Sequence, residues 1–228
     1  PLGRRDGNYR FVTETLPELL RPGQSVLDVG GGKNPGVSTE LKARLALKID
    51  GLDASEDELS RAPAGAYDAT VVCDVSRVQL PANYEFIFSC AVMEHVRGVR
   101  AAAAALAAAL VPGGTMAHFV PNAFAPFAIA NRVLGVDRAR RVLFSAIPSA
   151  RHLQGFAAYY EDCWPSRFRQ ICEENGLEVV ALEPHFCSGY VQFFWPMHTL
   201  DVARQLLLMG AHAMDLCESF TIVARKPG

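Results

Sequence analysis

Asp28, Val29 and three consecutive glycines, Gly30, Gly31 and Gly32, close a short apolar run that begins at Ser25, and Lys33, Asn34 and Pro35 follow. Bare main chain of this kind takes a tight turn and lets a ligand come close to the backbone. About 20 residues further on, Asp53 closes a second apolar run in KIDGLDAS. An acidic side chain there can accept both hydroxyls of a ribose, and a helix starting after the loop offers unpaired N–H groups. The pattern is that of a nucleoside-cofactor site. The dinucleotide spacing G-x-G-x-x-G fails at Pro35, where its last glycine belongs. A carboxylate at Asp28 repels a pyrophosphate but suits ammonium and sulfonium charge. The sign of the charge favours S-adenosylmethionine over a nicotinamide dinucleotide.

A second set of candidates is imidazole. A neutral histidine can take the proton of an alcohol near neutral pH. His95 ends the fourth apolar run and His118 sits at the far end of the fifth, so both are expected to face the site and are candidate catalytic residues; His152 and His185 lie in or beside the long connections further along. No three of these side chains have metal-ligand spacing such as H-x-x-x-H, and no metal is expected.

The elements that must carry these residues alternate in type. Strands are expected over 25–29, 47–53, 69–74, 84–90 and 115–120, with helices over 9–20, 37–46, 55–61 and 99–110. Strands separated by helical segments of this length form right-handed βαβ units and a parallel sheet. Ligands bind at the carboxyl edge of such a sheet, where Asp28, Asp53 and His95 fall. The alanine run 101–109 is a packed helix, because alanine is the best helix former and VPGG stops it. Pro165 and Gly176 bracket another helix, followed by strand-like LEVVALEPHF and a closing strand in SFTIVARKP.

Composition bounds the reading. Half of the 228 residues are apolar, a fifth are charged, and the net charge is -2. There is no basic field for a nucleic acid, and the short run DRARR at 137–141 reads as a solvated helix face. Six widely spaced cysteines without C-x-x-C indicate reduced thiols and a cytoplasmic setting. No secretory pattern is expected, and no apolar run is long enough to cross a bilayer.

Five blocks in order resemble the class I S-adenosylmethionine-dependent methyltransferases over about residues 20–120. VLDVGGG is similar to the family's glycine loop, which implies Asp28, Gly30, Gly31, Gly32 and Asn34 around the methionine moiety. GLDAS resembles the segment that implies Asp53, with Ala54 beside it, at the ribose. VVCDVSRVQLP implies Asp74 at the adenine amino group, with Cys73 and Val75 beside the ring. YEFIFSCAVMEHV resembles the fourth strand, so Ser89, Cys90 and Ala91 would pass the cofactor, and LVPGGTM resembles the turn before the fifth. EHV recurs across the family with different substrates, so Glu94 and His95 also read as helix-start structure. Two departures stand out. Asn34 replaces a frequent third glycine, where asparagine tolerates left-handed backbone. N-P-P-Y is absent, which by resemblance argues against nucleobase or glutamine nitrogens as acceptors.

The resemblance implies an α/β, Rossmann-like, doubly wound sheet of seven strands ending in an antiparallel hairpin, in one domain over 4–228. Two long connections, about 121–162 and 187–218, would leave the carboxyl edge and roof the cofactor. Phe124, Phe127, Phe144, Phe156, Tyr159 and Tyr160 line the first, and Tyr190, Phe193, Phe194 and Trp195 the second. Such lids suit a small-molecule, glycan or lipid-linked acceptor and admit peripheral contact with a membrane; a small extra core is the alternative. HFVPNAFAPFAIANRVLG and FAAYYEDCWPSRFRQICEENGLEV are loosely similar to methyltransferases of bacterial polysaccharide and glycolipid pathways. The expected function is methyl transfer to an oxygen. Carbon or nitrogen methylation of a small metabolite or quinone-like ring, and a non-catalytic binding module, remain as alternatives.

Overall fold

Residues 6–81, 83–134, 157–187 and 195–228 are described by a computed structural model. Helix α1 (Gly7–Arg10) runs through a wide π turn (Phe11–Thr15) into α2 (Leu16–Leu19). The wide turn accommodates Pro17, which has no N–H to give the preceding turn. Then come β1 (Ser25–Val29), α3 (Thr39–Leu45), β2 (Lys48–Asp53), α4 (Glu56–Ser60), β3 (Ala69–Val72) and β4 (Tyr84–Cys90). A 3-10 turn (Met93–His95) leads to α5 (Val99–Ala109), β5 (Leu110–Pro121) and α6 (Pro126–Leu134). The chain continues through α7 (Pro165–Glu174), β6 (Glu178–His185), α8 (Trp195–Gly210), a second 3-10 turn (Met214–Leu216) and β7 (Ser219–Arg225).

The seven strands form one sheet in the order β3-β2-β1-β4-β5-β7-β6, with β7 antiparallel to both neighbours. This is the expected fold. Because β5 and β6 both run against β7, both point to the carboxyl edge, and the two long connections leave from there. Register aligns the functional ends: Val29 pairs with Leu52 on one side and with Ser89 on the other. The strand order reverses at β1 and β4, so Asp28 sits where a crevice opens.

Alternation along the strands feeds two cores. Leu27, Val29, Leu52 and Ile87 face one side with Met116, Phe168 and Phe220. Val26, Ile49, Phe86 and Phe88 face the other, against Phe11 and Leu16. Truncating a ring such as Phe86 to alanine would cost roughly 3–5 kcal/mol, from lost burial and the cavity left behind. The alanine run gains its meaning here. Ala102, Ala103, Ala107 and Ala109 are buried around Leu106, so small side chains bring α5 close against the sheet.

Among the first five strands, two boundaries differ from the sequence expectation by two residues or more. Strand β3 stops at Val72, short of Asp74, and β5 starts at Leu110 rather than Thr115. In the second case Pro112 and Gly113 are taken into the strand, where the pairing with β4 shifts register between Tyr84 and Phe86. Phe144, His152, Phe156, Tyr190, Phe193, Phe194 and the run 137–141 lie outside the described residues.

Candidate cofactor and acceptor site

At the end of β1 the chain turns through Gly30, whose φ of +72° favours glycine. Gly31 is confined by contact instead: a Cβ there would lie 2.4 Å from Asp28 Oδ2 and 2.5 Å from the Tyr67 hydroxyl. The Asn34 N–H donates to the Gly31 carbonyl at 2.8 Å and closes the turn. The left-handed backbone expected at Asn34 is not adopted, since positive φ falls on Gly30 and Gly32 instead. Asp28 is enclosed beneath this loop. Its Oδ2 accepts from the Gly36 N–H at 3.0 Å and lies 3.2 Å from the Tyr67 hydroxyl.

Over the ends of β1, β2 and β4 lies a cavity of about 270 Å³. Asp28, Gly30, Gly31, Gly32, Asn34, Asp53 and Cys90 line it, as do Lys33, Gly36 and Glu58. Burial pushes the Asp28 carboxyl up to about 7. Burial also raises Asp53, partly offset by its bond from the Ser55 N–H at 2.9 Å. The Cys90 thiol, pushed up to about 12 by burial, stays neutral. Lys33 is paired with Glu58 at 3.2 Å. The cavity therefore holds negative charge in excess, which a cationic ligand would relieve.

The other nominated residues are dispersed around this cavity. Ala54 is exposed just beyond β2. The Cys73 N–H donates to the Asp53 carbonyl at 2.9 Å, so the ends of β2 and β3 are tied together. Asp74 Oδ1 accepts from the Ser76 N–H at 2.9 Å and its hydroxyl at 2.8 Å, which holds the carboxyl below its ordinary value. Ala91 takes a φ of +55° and donates its N–H to Phe119. Val75 and Ser89 belong to the interior and do not line the cavity. Tyr67, Lys33, Gly36 and Glu58 were not singled out by sequence. Gly51 carried the available signal for Tyr67, because an isolated strand glycine marks a close approach.

His118 is placed differently from the expectation that it faces the site. It is 1 % exposed, Nδ1 lies 2.7 Å from Ser89 Oγ, and its ring packs on Phe168 at 5.8 Å. Burial pulls its pKa down to about 4, so the ring is neutral and enclosed. The cause is register: His118 pairs beside Ser89 inside the sheet, three residues short of the end of β5. His185 is also enclosed, with Nε2 2.9 Å from Thr221 Oγ1.

His95 sits in the turn after β4, with Nδ1 3.1 Å from the Ala157 carbonyl. That bond requires the proton on Nδ1, so Nε2 of the neutral ring is unprotonated, and it lies 3.6 Å from Glu94 Oε1. The expected helix-start role falls elsewhere, since Gly98 caps α5. The neighbouring Glu94 is buried, its Oε2 has no hydrogen-bond partner among the described residues, and burial pushes it up to about 8. Its carbonyl accepts the N–H groups of Tyr159 and Tyr160 at 2.7 and 3.0 Å, and Arg97 lies 4.3 Å over the Tyr159 ring. The turn after β4 thus anchors the chain that returns from the first long connection.

Helix α8 inverts the usual arrangement. Asp201, Arg204 and Gln205 turn inward, where Arg204 pairs with Glu218 and with Asp201 and Gln205 donates to Asp201. Leu200, Leu206 and Leu207 face outward, at 72, 51 and 74 % exposure. On α6, Ile129 and Val133 are exposed as well.

A family model described as "Methyltransferase domain" matches residues 4–182, most of the chain. The chain belongs to the S-adenosylmethionine-dependent methyltransferases. Among curated methyltransferases it is similar to the ubiquinone biosynthesis O-methyltransferase of Nitrosococcus oceani, 27 % identical over 167 residues. The match covers 70 % of this chain and 66 % of that relative, so the chain spans just under two thirds of the relative's length. Among solved methyltransferases, phosphoethanolamine N-methyltransferase 2 of Haemonchus contortus superposes with a TM-score of 0.64 at 15 % identity. That likeness covers 98 % of this chain and 54 % of the other. A methyltransferase from Mesorhizobium loti gives 0.60 at 19 % identity, over 96 % and 97 % of the two chains. At these identities the structural likeness is one of fold.

The cavity suits the methyl donor of this family. Two carboxylates could meet its positive charges and ribose hydroxyls, and the glycine turn leaves room that a side chain would fill: a Cβ on Gly32 would stand 3.0 Å from Asp53 Oδ2. Among the described residues no group of three or more His, Cys, Asp or Glu could hold a metal ion, and no helix is long and apolar enough to cross a membrane.

Proposed function

We propose that the chain transfers the methyl group of S-adenosylmethionine to an oxygen of a small acceptor with apolar character, a lipid-linked one included. The cavity at Asp28 and Asp53 carries the cofactor half of this reading. Bound there, the cofactor supplies an electrophilic methyl carbon. Asp28 and the loop of Gly30, Gly31, Gly32 and Asn34 hold its methionine end, and Asp53 accepts from the ribose. Cys73 and Asp74 stand at the adenine side, and Cys90 and Ala91 flank the route to the acceptor. Val75 and Ser89 support these groups from the core.

Displacement at a methyl carbon mainly requires a nucleophile held about 3–3.5 Å away, in line and without water. An alcohol or phenol must also lose a proton. His95 is the base we assign, because it sits in the turn at the carboxyl edge, with Nε2 3.6 Å from Glu94 Oε1, while His118 is enclosed. The outward leucines of α8 and the apolar residues of α6 support an apolar acceptor, and the name of the Nitrosococcus relative supports oxygen.

The test is transfer of labelled methyl groups to a panel of phenols, lipid-linked glycans and amines, with the product bond located by NMR. Methyl on oxygen, and turnover lost in His95→Ala with cofactor affinity retained, is the expected result. Label found only on nitrogen or carbon would refute the oxygen assignment, and failure to bind the cofactor would refute catalysis altogether.

A further inference from the structure

Tyr67 reaches over β2 from the loop before β3 and enters the glycine loop from the side. Its ring covers Gly51, where a Cβ would come within 2.8–2.9 Å of three ring carbons. Its hydroxyl lies 3.2 Å from Asp28 Oδ2 and 3.3 Å from the Gly32 carbonyl. A phenol has one proton to donate, so these two acceptors compete for it. Burial and Asp28 hold the Tyr67 pKa far above neutral, so the phenol keeps its proton at all relevant pH.

We propose that Tyr67 is a positioning residue that couples the charge on Asp28 to the shape of the glycine loop, without itself touching the cofactor. With Asp28 ionised, the hydroxyl donates to Oδ2. With Asp28 protonated, the carboxyl O–H donates to the phenolic oxygen, and the phenol's own proton turns to the Gly32 carbonyl. No bond to carbon changes; one proton enters from water, the Tyr67–Asp28 hydrogen bond reverses and one to the Gly32 carbonyl forms. The Gly32 carbonyl is therefore held in one charge state and released in the other.

The groups facing Asp28 are consistent with a switch near neutral pH. Asp53 at the end of β2 raises it, and the neutral Cys90 thiol at the end of β4 supplies no charge. The Gly36 N–H and Tyr67 lower it, and the Lys33–Glu58 pair stands across the cavity. Burial outweighs the two hydrogen bonds and leaves Asp28 at about 7. A sulfonium favours the ionised form, whereas the spent cofactor, lacking that charge, favours it less. The proposal rests on the cofactor alone and is independent of the acceptor assigned above.

Calorimetry of the full chain with S-adenosylmethionine and S-adenosylhomocysteine between pH 6 and 8.5 tests it. Titration of the ligands themselves is common to all variants and cancels in the ratio. Relative to Asp28→Asn, which cannot ionise, wild type should lose about tenfold in S-adenosylmethionine affinity from pH 8 to pH 6 and clearly less for the spent form. Tyr67→Phe keeps the ring on Gly51 and removes only the hydroxyl. Its midpoint should move up by about one pH unit, since a hydrogen bond to the ionised form is lost. Affinity would fall about eightfold at pH 6.5 yet stay within about threefold of wild type at pH 8.5. An equal loss at every pH, or no loss, would overturn the coupling and leave Tyr67 a packing residue. If wild type bound neither ligand at any pH, the cofactor reading itself would fall.

Discussion

On the β1–β2 side of the sheet edge, buried charge faces a cavity in excess, whereas on α8 charge is turned inward and paired and apolar surface is left outside. Asp28 and Asp53 face a cavity, held by main-chain N–H groups and by Tyr67. Asp201, Arg204 and Gln205 face one another and Glu218, and Leu200 and Leu207 face outward. The first arrangement suits a cationic, nucleoside-bearing ligand, because each carboxylate is fixed in place and has no paired cation among the described residues. The second offers area and no direction, which suits an acceptor recognised by its apolar bulk. A methyltransferase needs that asymmetry, since one substrate is invariant and the other sets the chemistry.

The largest effect that would break the comparison is on the cofactor side. Asp53→Ala should weaken S-adenosylmethionine binding at least about 100-fold, as two charge-assisted hydrogen bonds are lost. Calorimetry checks this, and retained affinity would place the ribose elsewhere.

His118→Ala comes next, and the expected loss is of stability. Removing the ring leaves a cavity against Phe168 and an unpaired Ser89, costing about 3 kcal/mol in urea unfolding. The enclosed ring also contributes a pH slope. Its folded pKa of about 4 lies below the ordinary 6.5, so the unfolded chain binds the extra proton between these values. Wild-type stability should fall as pH drops from 6.5 towards 4, and the variant should lose that slope. Loss of turnover with unchanged stability would instead return His118 to the site.

Glu94→Gln should act in the opposite sense. Its folded pKa of about 8 stands above the ordinary 4.5, so the native chain keeps a proton that the unfolded chain releases. Folding is disfavoured progressively as pH rises from 4.5 to 8. The amide removes that cost, and the variant should gain on the order of 1–3 kcal/mol at pH 8 and nothing near pH 4.5. Melting curves at the two pH values decide it.

The smallest effect sharpens the acceptor side. Leu200→Ser with Leu207→Ser should change stability by less than about 0.5 kcal/mol, because neither side chain is buried. Turnover of an apolar acceptor should fall while cofactor affinity holds, and an unaltered KM for that acceptor would remove α8 from recognition.

The strands and the cofactor loop were legible because their signals are local. Alternating apolar residues, a glycine run and aspartates at strand ends need no knowledge of what lies opposite. Errors came where a partner from elsewhere decides. The exposure of His118 depends on Phe168, fifty residues away in the chain, and its bonding depends on Ser89 in the neighbouring strand. Asn34 looked like a substitute glycine, but the turn it closes places the strained backbone on Gly30 and Gly32. The inward charges of α8 were invisible because Glu218, the partner of Arg204, lies beyond the helix.

By itself, the sequence determined the α/β sheet, the glycine turn and the acidic strand ends that favour a cationic nucleoside. Side-chain period and backbone preference are properties of contiguous residues, so they survive without coordinates. The tertiary structure alone decided which histidine is enclosed, that Tyr67 reaches Asp28, and which way α8 turns its leucines. Those outcomes depend on pairing register and on distant partners, and burial then sets the charge each group can carry.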